Sequence, residues 1–366
     1  MKIAIDNNIF LRQKFGGVSR YFVELQSKLN SNRKIESRII APIHINSHLK
    51  HLENDPKHRI FIPKTTNRLK IDSGIKLLSN YLSVQEMKKF NPNLIHETFY
   101  TLTDPWNKKI KRVTTVYDLI REKVDPIASK SKAKRATLER SEKIICISNN
   151  TKSDLIEFYN LPEDRCEVVY LGVNNVFFED FNIEKKFWDR PYILYVGQRA
   201  GYKNFEFLMK ALSRVSKFGK DFGLICFGGG NFTISEKALF NELSLSVKDI
   251  RHESGSDQKL KVAYSQALAL IYPSLYEGFG LPIVEAMASR CLVITSDSIS
   301  IAEAGGKEAL YFESQNAESL INLLNNVLAL DSKSQKTKRD DGFNWASKFT
   351  WNSTASNTLR VYLEIL

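Results

Sequence analysis

The sequence predicts an α/β protein built from two parallel-sheet domains, and three observations carry that expectation. The chain has 366 residues, enough for two domains of ordinary size that each bury a core. Short apolar runs such as IICIS and ALALIYPS alternate with helical patterns, the signature of strand–helix–strand units. Glycine-bearing loops join strands to the helices after them, most clearly in PSLYEGFGLPIVEAMA, Pro273 to Ala288.

The bulk numbers narrow the class. With 43% apolar and 26% charged residues, the composition is that of a soluble globular protein. No apolar run approaches a membrane span, and MKIAIDNNIF opens as a strand rather than a signal peptide. Cys146, Cys166, Cys226 and Cys291 are scattered, three of them in apolar runs, as reduced cysteines of a cytoplasmic protein would be. The six histidines lack metal-ligand spacing, so no metal is expected. Charge is unevenly spread: residues 1–150 hold 29 Lys and Arg against 14 Asp and Glu, +15, and the remainder 24 against 27, −3. That asymmetry suits an anionic partner: membrane phospholipid, a phosphorylated lipid acceptor or nucleic acid. Solubilising lysines in a basic proteome account for it equally well.

Taken in order, KIAIDNNIF is a first strand, and a loop with Gly16–Gly17 leads to an amphipathic helix carrying Tyr21, Phe22, Leu25 and Leu29. Bare amides there suit a phosphate or a sugar, and Arg20 is either a ligand residue or a helix-surface charge. ESRIIAPI is a second strand. Residues 44–75, with four of the six histidines, have no clear period, and 31–90 is the least legible stretch. NPNLIHETFY gives a short strand ending at His96, and KRVTTVYDLIRE one ending near Asp118; ligands of doubly wound folds gather at such carboxyl ends. Residues 127–180 then predict helix, strand, helix, strand, with Ser148 and Thr151 or Ser153 as caps and Leu161–Pro162 as the break. A charged, aromatic linker follows over 174–190.

The second domain opens on RPYILYVGQRAGYKNFEFLMKAL, a strand, a loop with Gly197 and Gly201, and a helix from about Asn204; Arg199 and Lys203 flank the helix start. DFGLICFGGGNF is a strand and glycine turn, and IRHESGSDQKLKVAYSQA a strand and a helix capped by Ser256 or Asp257. Next comes the Pro273–Ala288 unit, with Pro282 suited to a first helical turn and the carboxylates Glu277 and Glu285 eight positions apart. Glycines that let a ligand approach and a helix N-terminus suit an anionic or polar ligand, and two acceptor-only carboxylates suit sugar hydroxyls; the plainer alternative is solvated glutamates on a glycine turn. CLVITSD is a further strand, and the final segment spaces Ala355, Leu359, Tyr362 and Leu366 on one helix face.

The Pro273–Ala288 stretch resembles the Glu-x7-Glu signature of retaining glycosyltransferases with two facing Rossmann-like domains: the GT-B type, family 4 or glycosyl transferases group 1, bacterial mannosyltransferases among them. The resemblance implies an acceptor-binding domain over 1–180, a donor-binding domain over 181–345, a cleft between them, and a C-terminal helix over 346–366 packing back on the first. It implies that Glu277 faces the donor sugar and Glu285 holds the ribose. It further implies that the backbone of Gly278, Phe279, Gly280 and Leu281 contacts sugar and phosphates, and that Arg199 and Lys203 hold the diphosphate. Gly17 would face the cleft, and the His252–Glu253 neighbourhood would meet the base. Catalysis would rest on Glu277, Arg199 and Lys203. Arg20, His96, Tyr117 and Asp118 would line the acceptor side, where Tyr117 stands in place of the histidine in the family's Thr-Val-His-Asp. Glu303 with Gly305–Gly306 is similar to the family's proline-glutamate-glycine loop.

The expected function is transfer of a hexose from a nucleotide-diphosphate sugar to a saccharide or lipid-linked saccharide acceptor, keeping the anomeric configuration, in cell-surface polysaccharide synthesis. Mannose from GDP-mannose is the family-level expectation, with no cofactor beyond the co-substrate. The expected place is the cytoplasm, at the inner face of the membrane. A nucleotide-sugar epimerase of similar architecture is the alternative. A nucleic-acid-binding protein fits the basic half, but no aromatic-basic binding motif accompanies it.

Overall fold

Two six-stranded parallel sheets organise the chain, one in each of two compact units, Met1–Gly172 with Trp351–Leu366, and Val173–Thr350. The computed structural model describes residues 1–49, 59–62, 73–124, 131–180, 186–199 and 201–366. The second unit begins ahead of residue 181 for a local reason. Val173 donates its N–H to the Phe349 carbonyl at 2.9 Å, and Phe177 packs against Tyr264 at 6.0 Å.

In the first unit, β1 (Lys2–Ile5) leads to α1 (Gly17–Asn30), β2 (Glu36–Ile39), and the short pair β3 (Ile43–His44) and β4 (Ile60–Phe61). Helix α2 (Ser73–Phe90) precedes β5 (Leu94–Glu97), β6 (Lys111–Val116), α3 (Ile120–Val124), α4 (Lys132–Arg140), β7 (Lys143–Cys146), α5 (Asn149–Tyr159) and β8 (Cys166–Val168). The main sheet runs β2-β1-β5-β6-β7-β8. Its central strands are buried along nearly their whole length, as in parallel sheets generally, although β5 and β6 carry the buried polar residues His96, Glu97, Thr114 and Thr115. Ser148 caps α5 by accepting the Thr151 N–H.

Helix α2 shows why residues 31–90 read poorly. Its inward face carries Ser79 and Ser83 beside Met87 and Phe90, while Leu77, Leu78 and Tyr81 face solvent, 71, 51 and 61% exposed. A helix with serines inside and leucines outside has no ordinary amphipathic period. Ser79 is tolerated there because Asn7 Nδ2 donates to its Oγ at 3.2 Å. His44 is buried on β3; His51 and His58 lie outside the described residues, as does most of the irregular stretch around them.

The second unit follows the order β9 (Tyr192–Val196), α6 (Phe205–Leu212), β10 (Gly223–Phe227), α7 (Ile234–Glu242), β11 (Ile250–Glu253), α8 (Asp257–Gln266) and β12 (Leu270–Tyr272). It continues through α9 (Leu281–Ala288), β13 (Val293–Ser296), α10 (Ile299–Gly305), β14 (Leu310–Phe312), α11 (Ala317–Leu328) and α12 (Ser332–Ala346). The sheet order β11-β10-β9-β12-β13-β14 is that of the dinucleotide-binding fold, with its switch point between β9 and β12. The chain then returns to the first unit as α13 (Trp351–Leu363). Trp351, Thr354, Ala355, Thr358, Val361 and Tyr362 form its buried face; Leu366, expected there, lies past the helix end and is 53% exposed.

Candidate active site

The switch point of the second sheet gathers the strongest cluster. Strand β9 ends at Val196, and Gly201–Lys203 form a single 3-10 turn before α6. Strand β12 ends at Tyr272, and the following loop reaches Gly280, whose φ of 97° caps α9. A side chain is strained in that left-handed region, which explains the glycine there. The Leu275 N–H donates to the Tyr202 carbonyl at 2.8 Å and ties the two loops together.

Between them, Lys203 Nζ donates to Glu277 Oε1 at 2.6 Å and to the Tyr272 hydroxyl at 2.9 Å. The ammonium lies 5.0 and 5.4 Å from the ring centroids of Tyr272 and Tyr202. Glu277 is held from behind, its N–H donating to Ser300 Oγ at 2.9 Å. Burial first, then the charge and hydrogen bond of Glu277, raise the Tyr272 phenol well above its ordinary value, so it stays protonated. Phe279 is buried and packs on Phe349 at 5.4 Å. Glu285, one turn into α9, accepts from the buried Tyr264 hydroxyl at 3.4 Å.

Arg199 is placed differently from the expectation that it grips a diphosphate directly. Its side chain is 3% exposed. Nε donates to Glu236 Oε1 at 2.6 Å, and the two terminal nitrogens donate to the carbonyls of Gly228, Gly230 and Asn231 at 2.9, 2.8 and 3.1 Å. Glu236 is itself fixed in a capping box with Thr233. Desolvation pushes the Glu236 pKa up, but the bonds from Arg199 and Thr233 outweigh it and hold the group below its ordinary value. The guanidinium thus knits the glycine turn to α7, and Lys203 is the cation beside Glu277. Glu253 is likewise engaged, 2.5 Å from Arg251 and 2.6 Å from Lys259; the half-buried His252 packs its ring at 6.0 Å from Phe232.

In the first unit the switch point lies between β1 and β5. Gly17 opens α1, where an added Cβ would meet open space. Arg20 is half-buried, 4.0 Å from Glu24 on the same helix. Asp118 caps α3 by accepting the Ile120 N–H at 3.2 Å. Two expected acceptor ligands have their polar atoms buried. His96 is wholly buried with both ring nitrogens taken, Nδ1 by the Tyr362 hydroxyl at 2.6 Å and Nε2 by Thr115 Oγ1 at 2.8 Å. It joins the sheet to α13 and has no nitrogen left for a sugar. The Tyr117 hydroxyl is also buried, its ring edge-on to Tyr21 at 5.6 Å, and burial raises its phenol well above the ordinary value.

Sequence reasoning passed over the carboxylates beside that switch point. Asp6, just after β1, accepts from the Thr98 N–H at 3.0 Å, from its hydroxyl, and from Asn8 Nδ2 at 2.6 Å. Glu97, at the end of β5, is bound by Arg140 through Nε at 2.9 Å and Nη2 at 2.7 Å, with Arg112 at 3.4 Å. Burial pushes Glu97 up to about 7 against those cations. The signal available was position alone: an acidic residue at the carboxyl end of a buried strand.

His96 gives a pH prediction. Burial lowers its pKa to about 3, against about 6.5 in an unfolded chain. The unfolded state then binds the proton first, so this contribution is complete above about pH 6.5. It is lost as pH falls towards 3, by up to about 1.4 kcal/mol per unit. In urea melts across that window, His96→Gln should flatten the acid loss relative to wild type, while Asp6 and Glu97, shifted upward, are present in both proteins and cancel. Parallel curves for the two proteins would refute the assignment.

Among the described residues, no three His, Cys, Asp or Glu gather to hold a metal, and no helix is long and apolar enough to cross a membrane. The four cysteines are buried and unbridged.

Comparison with known proteins agrees with this layout. Residues 176–341 match the family model described as "Glycosyl transferases group 1", and residues 15–176 match "Glycosyltransferase Family 4". The O-antigen chain mannosyltransferase RfbU of Salmonella typhimurium is 26% identical over 322 residues, 85% of this chain and 87% of that protein. A glycosyltransferase structure from Rickettsia africae superposes with a TM-score of 0.74 at 22% identity, covering 100% of this chain and 98% of that one. Anabaena Alr3699/HepE, solved in complex with UDP, gives a TM-score of 0.70 at 14% identity, covering 100% of both chains. With two Rossmann-like units and both halves matched, the chain is a glycosyltransferase of the GT-B type and belongs to group 1, family 4.

Proposed function

We propose that this glycosyltransferase moves a hexose from a nucleoside-diphosphate sugar to a hydroxyl of a saccharide or lipid-linked saccharide, with retention of configuration. The observation that carries the reading is the Lys203–Glu277–Tyr272 cluster at the switch point of the second sheet, where the turn before α6 meets the end of β12 and the loop that opens α9. Leaving-group departure puts negative charge on the diphosphate, and a fixed ammonium beside helix amides offsets it. Glu277 orients the donor sugar and Glu285 the ribose. The departing phosphate takes the acceptor proton, so the step needs no enzyme nucleophile. Mannose is the favoured sugar because RfbU is a mannosyltransferase, and the UDP held by Alr3699/HepE supports a nucleotide in this fold. By the same relationship, cell-surface polysaccharide is the favoured product.

An anionic membrane as the place where the acceptor is met is supported by the +15 over residues 1–150 and by Leu77, Leu78 and Tyr81 on the outer face of α2. The test is one transfer assay with a panel of nucleotide sugars including GDP-mannose and UDP-glucose, and lipid-linked saccharide in anionic vesicles. The expected result is acceptor-dependent product of unchanged anomeric configuration, with protein co-sedimenting at low salt and released at high salt. Inverted product overturns the mechanism, donor conversion without acceptor means an epimerase, and failure to sediment at low salt discards the membrane.

A further inference from the structure

Tyr272 falls outside every role assigned so far, yet it touches both members of the central ion pair. It ends β12, is 1% exposed, and its carbonyl accepts the Thr295 hydroxyl at 2.9 Å. The ring is therefore fixed by packing and the backbone by a bond, so the hydroxyl oxygen has one position. That oxygen accepts from Lys203 Nζ at 2.9 Å, while Glu277 Oε1 accepts from the same nitrogen at 2.6 Å.

A lysine ammonium has three tetrahedral donors on a flexible stem and ordinarily behaves as a rotating point charge. Two of the three are committed here, to acceptors at the end of β12 and on the loop that follows it. The direction of the third follows from tetrahedral geometry. With the Lys203 side chain 14% exposed, that remaining N–H is the donor available to an arriving ligand.

We propose that Tyr272 is a positioning residue that converts Lys203 from a diffuse charge into a single aimed donor for the second phosphate of the nucleotide. The proposal rests on the donor-site reading above and adds a specificity consequence. An aimed donor distinguishes a nucleoside diphosphate from a monophosphate, whereas a mobile charge attracts both.

Calorimetric titration of GDP, GMP, UDP and UMP into the full-length protein tests it, with Tyr272→Phe, Lys203→Met and the double variant. Wild type should prefer the diphosphate of one nucleoside. Tyr272→Phe keeps the ring and should lose about tenfold of that preference, the worth of one hydrogen bond to a charged group, with monophosphate affinity unchanged. Lys203→Met should abolish the preference, and adding Tyr272→Phe should change nothing more. A Tyr272→Phe protein that keeps the wild-type preference overturns the proposal. So does one that weakens both nucleotides equally, or whose loss adds in full to that of Lys203→Met. Wild type binding none of the four nucleotides removes the donor-site reading and this proposal together; a wild-type preference that Tyr272→Phe leaves intact removes this proposal alone.

Discussion

Glu277→Gln is expected to cut kcat/KM for transfer by roughly 10²–10³-fold, the range for losing one preorganised group that holds the donor sugar at the reacting centre. The loss should fall on kcat. Gln is nearly isosteric and keeps an oxygen for Lys203 Nζ, so the bond of 2.6 Å survives in weaker form and the loop keeps its shape. What changes is charge: Glu277 neutralises Lys203 across a contact that leaves their side chains 9 and 14% exposed. Without the carboxylate the ammonium is unopposed, and a diphosphate should bind at least as tightly as before. KM for the donor therefore stays level or falls while turnover drops, the pattern of an interaction used in the transition state rather than in binding. A value of kcat/KM within about threefold of wild type, in protein shown to be folded, would remove Glu277 from the reaction.

The second unit was far more legible than the first, and the difference is physical. Its elements obey local rules: buried apolar strands, glycine loops at their carboxyl ends, and helices opened by Ser256 or Pro282. Glu277 and Lys203 were both expected in the donor site, but the bond between them, across 74 positions, is visible only in the structure. In the first unit the local rules are broken by long-range bonds. Ser79 is inside because Asn7 reaches it, and His96 is internal because Tyr362, 266 positions later, meets its ring. No pattern near His96 announces Tyr362, so a histidine at a strand end resembled a ligand. The bonds of Arg199 are equally hidden from the sequence. Its acceptors are carbonyls of a glycine turn some 30 positions on, and carbonyls leave no trace in side-chain chemistry.

Arg199→Ala is expected to destabilise the second unit by about 3–5 kcal/mol, the cost of leaving a buried charge network without its cation. For a body of that size the melting temperature should fall by roughly 10 °C. The guanidinium serves Glu236 and three carbonyls at once, and three successive glycines, at φ of 86, 72 and 77°, shape the turn it grips. The fit is tight: a Cβ on Gly229 would stand 2.7 Å from the Gly197 carbonyl and 2.9 Å from Arg199 Nη1. Lysine cannot span four acceptors with a point charge, so Arg199→Lys should recover less than half of the loss. Glu236→Gln should cost less than either, because its amide oxygen can still accept from Nε. Calorimetric melts without nucleotide decide the matter. If Arg199 were purely a phosphate ligand, Arg199→Ala would melt like wild type and lose only the stabilisation that a nucleoside diphosphate confers. The bonds on Arg199 require the opposite order of effects: a large loss in the unliganded protein, with diphosphate stabilisation that still depends on Lys203.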